Sequence, residues 1–268
     1  MKIGKKEFDL KNHCYIMGIL NVTPDSFSDG GKFNELDTAL KHTEEMIRDG
    51  ADIIDVGGES TRPGHTVISE EEEIARVTPV IESIKKNFDV PISIDTYKGA
   101  VTLAALQAGA DLVNDIWGFQ YDRKVAEYTA RYDAACCLMH NRKEAVYEDF
   151  QKDFLTDMQA CIAIAKEANI ADDKIILDPG VGFGKTYEMN LEIINHLEIM
   201  KQLHYPILLG TSRKSVIGLT LDLPVDERVE GTLATTVIGI MKGCSFVRVH
   251  DIKENARIIK MTEAILSK

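Results

Sequence analysis

Residues 50–58, GADIIDVGG, hold the pattern that decides the fold of this 268-residue chain. A glycine precedes a short apolar run, the run ends on the polar residue Asp55, and a helical segment follows. Residues 109–118, GADLVNDIWG, repeat the pattern and end their run on Asn114. We interpret the likeness as shared turn chemistry, because glycine suits the left-handed turn that leads from a helix into a strand.

Without the preceding glycine, the same order of apolar run, polar residue and helical segment occurs eight times along the chain. Apolar runs predict strands over residues 15–20, 52–56, 91–94, 111–113, 134–139, 174–177, 206–209 and 245–249. The polar residues that end these runs are Asn21, Asp55, Asp95, Asn114, His140, Asp178, the group Ser212, Arg213 and Lys214, and Arg248 with His250. Amphipathic spacing predicts helices between them, including one that starts at Asp37, one capped by Ser69 with Glu72 in the capping-box position, and one over residues 226–241. Eight strand–helix units predict an α/β fold, a (β/α)8 TIM barrel with its active site at the C-terminal ends of the strands.

We expect a single domain over residues 1–268, since no Ser/Gly tract, Pro-rich stretch or block of like charges divides the chain. A net charge of −12 argues against broad nucleic-acid binding, although a few basic groups in a cleft can still bind a small anion. Five cysteines without a CxxC pair argue against a disulfide framework or a zinc site. No signal core or membrane-length apolar run is present, so we expect a cytoplasmic protein without a membrane segment.

Three of the run ends suit a heterocycle that is rich in N–H donors. Asp95, Asn114 and Asp178 follow different strands and would converge in the mouth of the barrel. An ionised carboxylate can accept two hydrogen bonds side by side, which matches such a ring. Any one of these residues alone would more often be a loop cap or a helix cap, and it is the set of three that favours ligand binding.

The basic residues that end the last two apolar runs are suited to bind an anion. Arg213 and Lys214 follow the seventh strand, and Arg248 and His250 end the eighth, where barrels commonly bind phosphate. The helix that is expected to begin at Ile252 would add backbone N–H groups, so a diphosphate fits this side of the mouth.

Several other motifs are weaker. Residues 180–186, GVGFGKT, lack the P-loop spacing, and we expect a loop with unusual backbone angles beside Asp178. The sequence has no GxSxG or HExxH motif and so gives no sign of a covalent nucleophile or a zinc protease site. Asn21, with Asp25 and Ser28, could help to hold Mg²⁺ or could form an Asx turn before Pro24, and local sequence leaves both open.

Seven segments in order resemble those of the dihydropteroate synthases over essentially the whole chain. They are NVTPDSFSDGG from Asn21, DVGGESTRPG from Asp55, SIDTYK from Ser93, VNDIWG from Val113, ILDPGVGFGK from Ile176, GTSRKS from Gly210 and RVHD from Arg248. The resemblance implies a transferase of folate biosynthesis and a sulfonamide target. Its substrates would be p-aminobenzoate and 6-hydroxymethyl-7,8-dihydropterin diphosphate, its products 7,8-dihydropteroate and diphosphate, and its quaternary structure a homodimer.

The resemblance also implies roles for individual residues. The pterin would be held by Asp95, Asn114, Asp178 and Lys214. The diphosphate would be held by Arg248, His250, Asn21 and Thr61, with Mg²⁺ as the cofactor at Asn21. Loops containing Phe33 and Thr61, Arg62 and Pro63 would close over the p-aminobenzoate, and its carboxylate would meet Ser215. Phe183 would also contact substrate. The residues expected to act in catalysis are Asp95, Lys214, Arg248 and His250.

Two alternatives differ in the chemistry that they predict. A pterin- or folate-dependent methyltransferase would keep the Asp–Asn–Asp set but would have less use for the RVHD and STRPG segments, both of which are present. A catalytically inactive pterin-binding protein would be expected to have lost at least one of the seven segments. Diphosphate release that requires both substrates separates the synthase from both alternatives.

Overall fold

The computed structural model describes residues 1–22, 31–59 and 67–267, with residues 31–35 described by their backbone alone. Its strands are β1 Lys2–Ile3, β2 Lys6–Glu7, β3 Tyr15–Asn21, β4 Ile53–Gly57, β5 Ile92–Asp95, β6 Leu112–Asp115, β7 Ala135–Met139, β8 Ile175–Asp178, β9 Leu208–Leu209 and β10 Phe246–Val249. Its α-helices are α1 Gly31–Asp49, α2 Glu70–Asn87, α3 Gly99–Ala108, α4 Arg123–Arg131, α5 Phe150–Glu167, α6 Tyr187–Asn195, α7 Ser215–Leu221, α8 Val229–Lys242 and α9 Ile252–Leu266.

Strands β3 to β10 form one parallel sheet in the order β8-β7-β6-β5-β4-β3-β10-β9. A parallel bridge between Leu177 and Ile207 joins β8 to the residue before β9, and the Leu177 N–H donates to the Pro206 carbonyl at 2.9 Å. The sheet therefore closes on itself with helices around it, and the (β/α)8 barrel predicted from the eight runs is confirmed. Helices cover the outside of each strand, which explains why the strands are continuous apolar runs.

Glycines and a serine set several of the helix ends. Gly50, Gly109 and Gly243 have φ angles of +114°, +110° and +99°, in the left-handed region that leads into the next strand. The Ser69 hydroxyl accepts from the Glu72 N–H at 3.2 Å and caps α2, while the Glu72 carboxylate pairs with Arg76.

Two predicted helix boundaries are wrong. Helix α1 begins at Gly31 and not at Asp37, because Asp37 looks like a cap in sequence but the backbone before it is already helical. The predicted helix over residues 226–241 is divided, since a 3₁₀ turn over Val225–Glu227 ends at Arg228 and α8 starts at Val229.

A hairpin that the sequence did not reveal closes the N-terminal end of the barrel. Strands β1 and β2 pair antiparallel, and Ile3 and Phe8 join a buried cluster with residues from the starts of the barrel strands. The rings of Phe8 and Phe246 lie 5.6 Å apart between centroids. The N-terminal end of the barrel is thus a packed plug, which leaves the opposite end for the mouth.

Candidate active site

The polar run ends form the floor of the mouth because side chains alternate along a strand. Met17, Ile53 and Phe246 point into the barrel near its plugged end. Counting on in steps of two puts Asn21, Asp55 and Arg248 on the same inward face, and the same count from Leu112 and Ile176 of that cluster puts Asn114 and Asp178 there. Strand register then aligns Asn21 with Gly57, Gly57 with Asp95, and Asp95 with Asn114. The sequence prediction that these residues share one site is consistent with this register.

Arg248 lies at the centre of this floor. Its Nε donates to Asp55 Oδ2 at 2.6 Å and its Nη2 donates to Asp95 Oδ2 at 2.7 Å. Asn114 Nδ2 donates to the same oxygen of Asp55 at 3.2 Å. One guanidinium therefore joins two carboxylates and, through Asp55, the neighbouring amide.

The two carboxylates of the floor retain acceptor capacity. Asp55 Oδ1 and Asp95 Oδ1 are buried and have no hydrogen-bond partner among the described residues. Burial raises the pKa of Asp95, the Arg248 guanidinium opposes this, and the nearby Asp55 charge raises it further. A ligand that brings N–H donors to these oxygens would satisfy them and favour the ionised carboxylates.

Asp178 and Lys214 form a carboxylate–ammonium pair on the other side of the floor. Asp178 Oδ1 accepts from the Gly180 N–H at 2.7 Å, and burial raises the pKa of Asp178 while Lys214 opposes the shift. The Nζ of Lys214 donates to the Val181 carbonyl at 2.6 Å and lies 4.9 Å from the centroid of the Phe183 ring. Burial lowers the pKa of Lys214 to about 8, against the pull of Asp178. The ammonium is thus held beside Asp178 and over an aromatic face.

An apolar group borders this pair. It contains Tyr97, Ile116, Trp117, Met139 and Phe183. A flat heterocycle between this group and the polar floor would bury its faces on apolar side chains and direct its edge to carboxylates and amides.

The basic residues after β9 and β10 have separate environments. His250 Nδ1 lies 2.9 Å from Ser212 Oγ, and this hydroxyl also accepts from the His250 N–H at 3.2 Å. Arg213 has a φ of +58° and pairs with Asp251 instead of pointing into the floor. Lys214 occupies the N-cap position of α7, whose first residue is Ser215, and its side chain makes no capping hydrogen bond. Of the two adjacent cations in the RK pair, only Lys214 joins the floor.

The side-chain amide of Asn21 is the predicted magnesium ligand that lies within the described residues. It ends β3, and its Oδ1 and Asp95 Oδ2 both lie within 4 Å of the point where a side chain at Gly57 would begin. Among the described residues no three His, Cys, Asp or Glu side chains form a metal cluster. One amide oxygen fits Mg²⁺, which keeps waters and substrate phosphates as most of its ligands. The other candidates, Asp25 and Ser28, lie outside the described residues.

Several of the residues expected to contact substrate also lie outside the described part of the chain. Thr61, Arg62 and Pro63 are not described, nor is the side chain of Phe33. The predicted contacts of these residues with substrate stay predictions.

Asp55 ends the second apolar run, but the resemblance gave it no role in substrate binding or catalysis. The side chain is fully buried in the floor and binds Arg248. The alternation along β4 predicts that Asp55 points inward. The sequence does not predict its partner, which lies far along the chain. His140, to which the sequence gave no role, is fully buried and bonds to Asp157 and Lys185.

The segment 180–186 has the unusual backbone that its glycines predicted. Gly180, Gly182 and Gly184 have φ angles of +67°, +88° and +54°. All five cysteines are buried free thiols. Within the ranges that the structure covers, no helix is both long enough and apolar enough to span a membrane.

Known proteins resemble the chain closely over its full length. The profile of the family described as "Pterin binding enzyme" matches residues 17–250. The dihydropteroate synthase of Clostridium beijerinckii is 64% identical, with 99% of each chain covered. That of Bacillus subtilis is 56% identical over 96% of this chain and 90% of its own.

Solved structures agree with the sequence relatives. A crystal structure of dihydropteroate synthase from Clostridium difficile in the presence of pteroic acid superimposes with a TM-score of 0.95 at 51% identity, covering 98% of this chain and 100% of that one. The Yersinia pestis enzyme with a sulfonamide drug superimposes with a TM-score of 0.93 at 42% identity, covering 100% and 99%. The family and the transferase class predicted from the seven segments are confirmed: the chain belongs to the pterin-binding enzymes and, among them, to the dihydropteroate synthases.

Proposed function

We propose that the residues at this mouth join p-aminobenzoate to 6-hydroxymethyl-7,8-dihydropterin diphosphate. The observation that carries the proposal is the floor around Arg248, where buried carboxylates with unused acceptor oxygens lie beside a guanidinium. A pterin edge supplies N–H donors, and a departing diphosphate requires positive charge.

The pterin lies against Asp95, Asn114, Asp178 and Lys214. Asp95 Oδ1 and the unused lone pairs of the Asp178 carboxylate accept hydrogen bonds from the N–H groups of the ring. Lys214 donates to a ring oxygen or nitrogen. The apolar group around Phe183 covers a face of the ring. Because the carboxylates are charged when they accept, these bonds are stronger than neutral ones.

The diphosphate lies on the side of Arg248 and His250, with Thr61 and Asn21 as further contacts. Arg248 carries its positive charge at any pH of interest, because the carboxylates of Asp55 and Asp95 raise its pKa despite burial. Asn21 would hold Mg²⁺, which when bound neutralises charge on the phosphate oxygens. The chain's own contribution is to fix that leaving group with hydrogen bonds from Arg248 and His250.

The second substrate lies above the pterin. By its resemblance to the family, the chain would hold p-aminobenzoate with Phe33, Thr61, Arg62, Pro63 and Ser215. The Yersinia pestis relative was solved with a sulfonamide drug. A sulfonamide would therefore compete for the p-aminobenzoate position here.

The reaction is a dissociative substitution at the pterin methylene group. The C–O bond to diphosphate breaks and its electron pair leaves with the oxygen. The amine nitrogen then forms the new C–N bond and loses one proton to solvent. Positive charge on the methylene is spread over the ring and stabilised by Asp95. An aryl amine is already a neutral nucleophile, so the lack of a nucleophile motif is expected. The pterin diphosphate binds first, and initial-rate kinetics showing productive binding of p-aminobenzoate to the free enzyme would contradict this order.

The chain forms a homodimer through its late helices. A groove of about 620 Å³ lies between α6, α7 and α8 and has mostly apolar walls, including Leu191, Leu221 and Ile238. These three side chains are more than a third exposed, with 41%, 44% and 40% of their surface accessible. A second copy would cover this surface. We also propose a cytoplasmic location, which the five free thiols support.

A two-substrate assay for released diphosphate, with and without Mg²⁺, tests the activity. We expect release only when both substrates and the metal are present. Turnover of the pterin without diphosphate release would favour the methyltransferase, and pterin binding without any turnover would favour an inactive binding protein.

A further inference from the structure

The loop of residues 180–184, called here the glycine loop, packs directly on the segment that follows β7. A Cβ at Gly180 would overlap the carbonyl of His140, and a Cβ at Gly184 would overlap the backbone of Arg142. Both glycines also have positive φ, so the shape of the loop depends on having no side chains there.

One lysine holds the glycine loop from behind. The Nζ of Lys185 donates to the Gly180 and Phe183 carbonyls, each at 3.0 Å, and lies 2.8 Å from His140 Nδ1. The ammonium thus ties the first and fourth residues of the loop to each other and to the end of β7.

The front of the same loop touches the pterin subsite. Gly180 donates its N–H to Asp178, and Val181 accepts from Lys214. The loop also carries Phe183, over which Lys214 lies. Two lysines therefore hold the loop between them, and its front side sets the positions of the proposed pterin contacts.

His140 holds Lys185 in place. Its Nε2 lies 3.0 Å from Asp157 Oδ2, and a carboxylate there requires that Nε2 carry the proton. Nδ1 of the neutral ring is then the acceptor for Lys185. Arg142 fixes Asp157 in turn, with its Nε at 2.6 Å and its Nη2 at 3.1 Å.

The electrostatics agree with a neutral histidine. Burial lowers the pKa of His140 to about 4, and the Asp157 hydrogen bond opposes the shift only in part. Burial likewise lowers the pKa of Lys185 to about 7. The carboxylates of Asp178 and Asp157 raise it, while Lys214 and Arg142 lower it further.

We propose that Lys185 is a positioning residue for pterin binding, which holds the glycine loop so that Asp178, Lys214 and Phe183 are set for the ring, and that His140 and Asp157 hold Lys185. This inference rests on the proposed function and deepens it. A buried lysine that only stabilised the fold would lower the unfolding temperature without a preference between ligands. A positioning lysine affects the pterin and spares the diphosphate, because Arg248 and His250 belong to a different strand.

The test compares Lys185→Met with Lys174→Met. Lys174 stands just before β8, and its Nζ also donates to a backbone carbonyl, that of Asp133 at 2.6 Å, but at the plugged end of the barrel. Binding of 6-hydroxymethylpterin and of inorganic diphosphate with Mg²⁺ is measured by calorimetry for each variant. We expect Lys185→Met to weaken the pterin about tenfold and the diphosphate by less than about twofold, as for loss of a charged hydrogen bond to a pterin-side loop. Lys174→Met should leave both affinities unchanged.

Two further variants keep the test decisive if Lys185→Met does not fold. In His140→Asn, the amide oxygen can replace Nδ1 as the acceptor for Lys185, whereas His140→Leu removes the acceptor. We expect His140→Asn to keep most of the pterin affinity and His140→Leu to lose it about as Lys185→Met does. Wild-type pterin affinity in Lys185→Met or in His140→Leu, or equal loss of both ligands, would overturn the proposal. Failure of the wild-type protein to bind the pterin at all would instead overturn the proposed function.

Discussion

Asp55 accepts a hydrogen bond from Arg248 at 2.6 Å, although the two residues are 193 positions apart in the chain. Asp95 shares the same guanidinium at 2.7 Å. Asp55 is fully buried while Arg248 is partly exposed, so the aspartate fixes the inner edge of the guanidinium and leaves the outer edge toward the mouth. The buried Asp55 therefore sets the position of Arg248, the cation that we expect to contact the diphosphate.

Asp55→Asn should reduce kcat by about 100-fold, since a small displacement of a positioned charge is sufficient for such a loss. The amide keeps the size of the side chain but removes the charge that holds Arg248. Steady-state kinetics measure the effect, with Asp111→Asn as the matched control. Asp111 pairs with Lys85 at the start of β6, far from the mouth, and its variant should keep its kcat. Equal kcat values for the two variants would contradict the role of Asp55.

Asp95→Asn should impair turnover by about 100-fold or more while the unfolding temperature changes little. The neutral amide cannot stabilise positive charge on the pterin methylene, and Asp55 still pairs with Arg248. Single-turnover rates together with thermal unfolding separate the two effects. Near-normal turnover would show that the carboxylate has no part in the chemistry.

Asn21→Ala should raise the Mg²⁺ concentration needed for half-maximal activity by about tenfold, a common effect of removing one contact at a metal site. A magnesium titration of diphosphate release measures it. Asn87→Ala serves as the control, because the Asn87 amide donates to the Ser83 carbonyl of its own helix. An unchanged magnesium requirement in Asn21→Ala would remove Asn21 as the metal ligand.

Because His140 is buried, we expect the free energy of unfolding to fall in mild acid. Its pKa is lowered from 6.5 to about 4, so between these values the unfolded chain binds a proton that the folded chain does not. Stability therefore falls as the pH drops through this window. The unfolding free energy of wild type relative to His140→Asn should decrease by about 2 kcal/mol between pH 7 and 4.5. Denaturant titrations at both pH values measure the difference, and a constant difference would show that His140 takes up its proton in the folded state.

Ile238→Glu should weaken self-association by about 100-fold, since it buries a charge in the proposed apolar interface. Sedimentation velocity over a range of concentrations measures the shift. Val146→Glu is the control, because Val146 is also an exposed apolar residue, with 67% of its surface accessible, but lies outside the groove. A monomeric wild-type protein would contradict the dimer itself.

The local features of the fold and site could be predicted from the sequence. Strands, glycine turns and the Ser69 cap depend on neighbours in the chain, and the inward direction of Asp95, Asn114 and Asp178 follows from alternation along short strands. What could not be predicted depends on distant partners. Asp55 gains its role from Arg248, and no local pattern indicates that pairing.

The same limit applies to His140. His140 ends an apolar run but received no role from the sequence, because its neighbours Asp157 and Lys185 come from α5 and from the loop after β8. The hairpin over β1 and β2 was missed for a different reason, since two-residue strands give too short an alternation to detect.

That hairpin also bears on how the chain assembles. Phe8 packs on Phe246, which the ribosome adds more than two hundred residues later. During synthesis Phe8 therefore remains without this partner until the last barrel strand has emerged, and joining ends so far apart carries a loop-closure entropy that local strand–helix units avoid. Completion of β10 supplies both the final strand of the ring and the surface on which the hairpin packs, so closure of the barrel and sealing of its N-terminal end depend on the same late event.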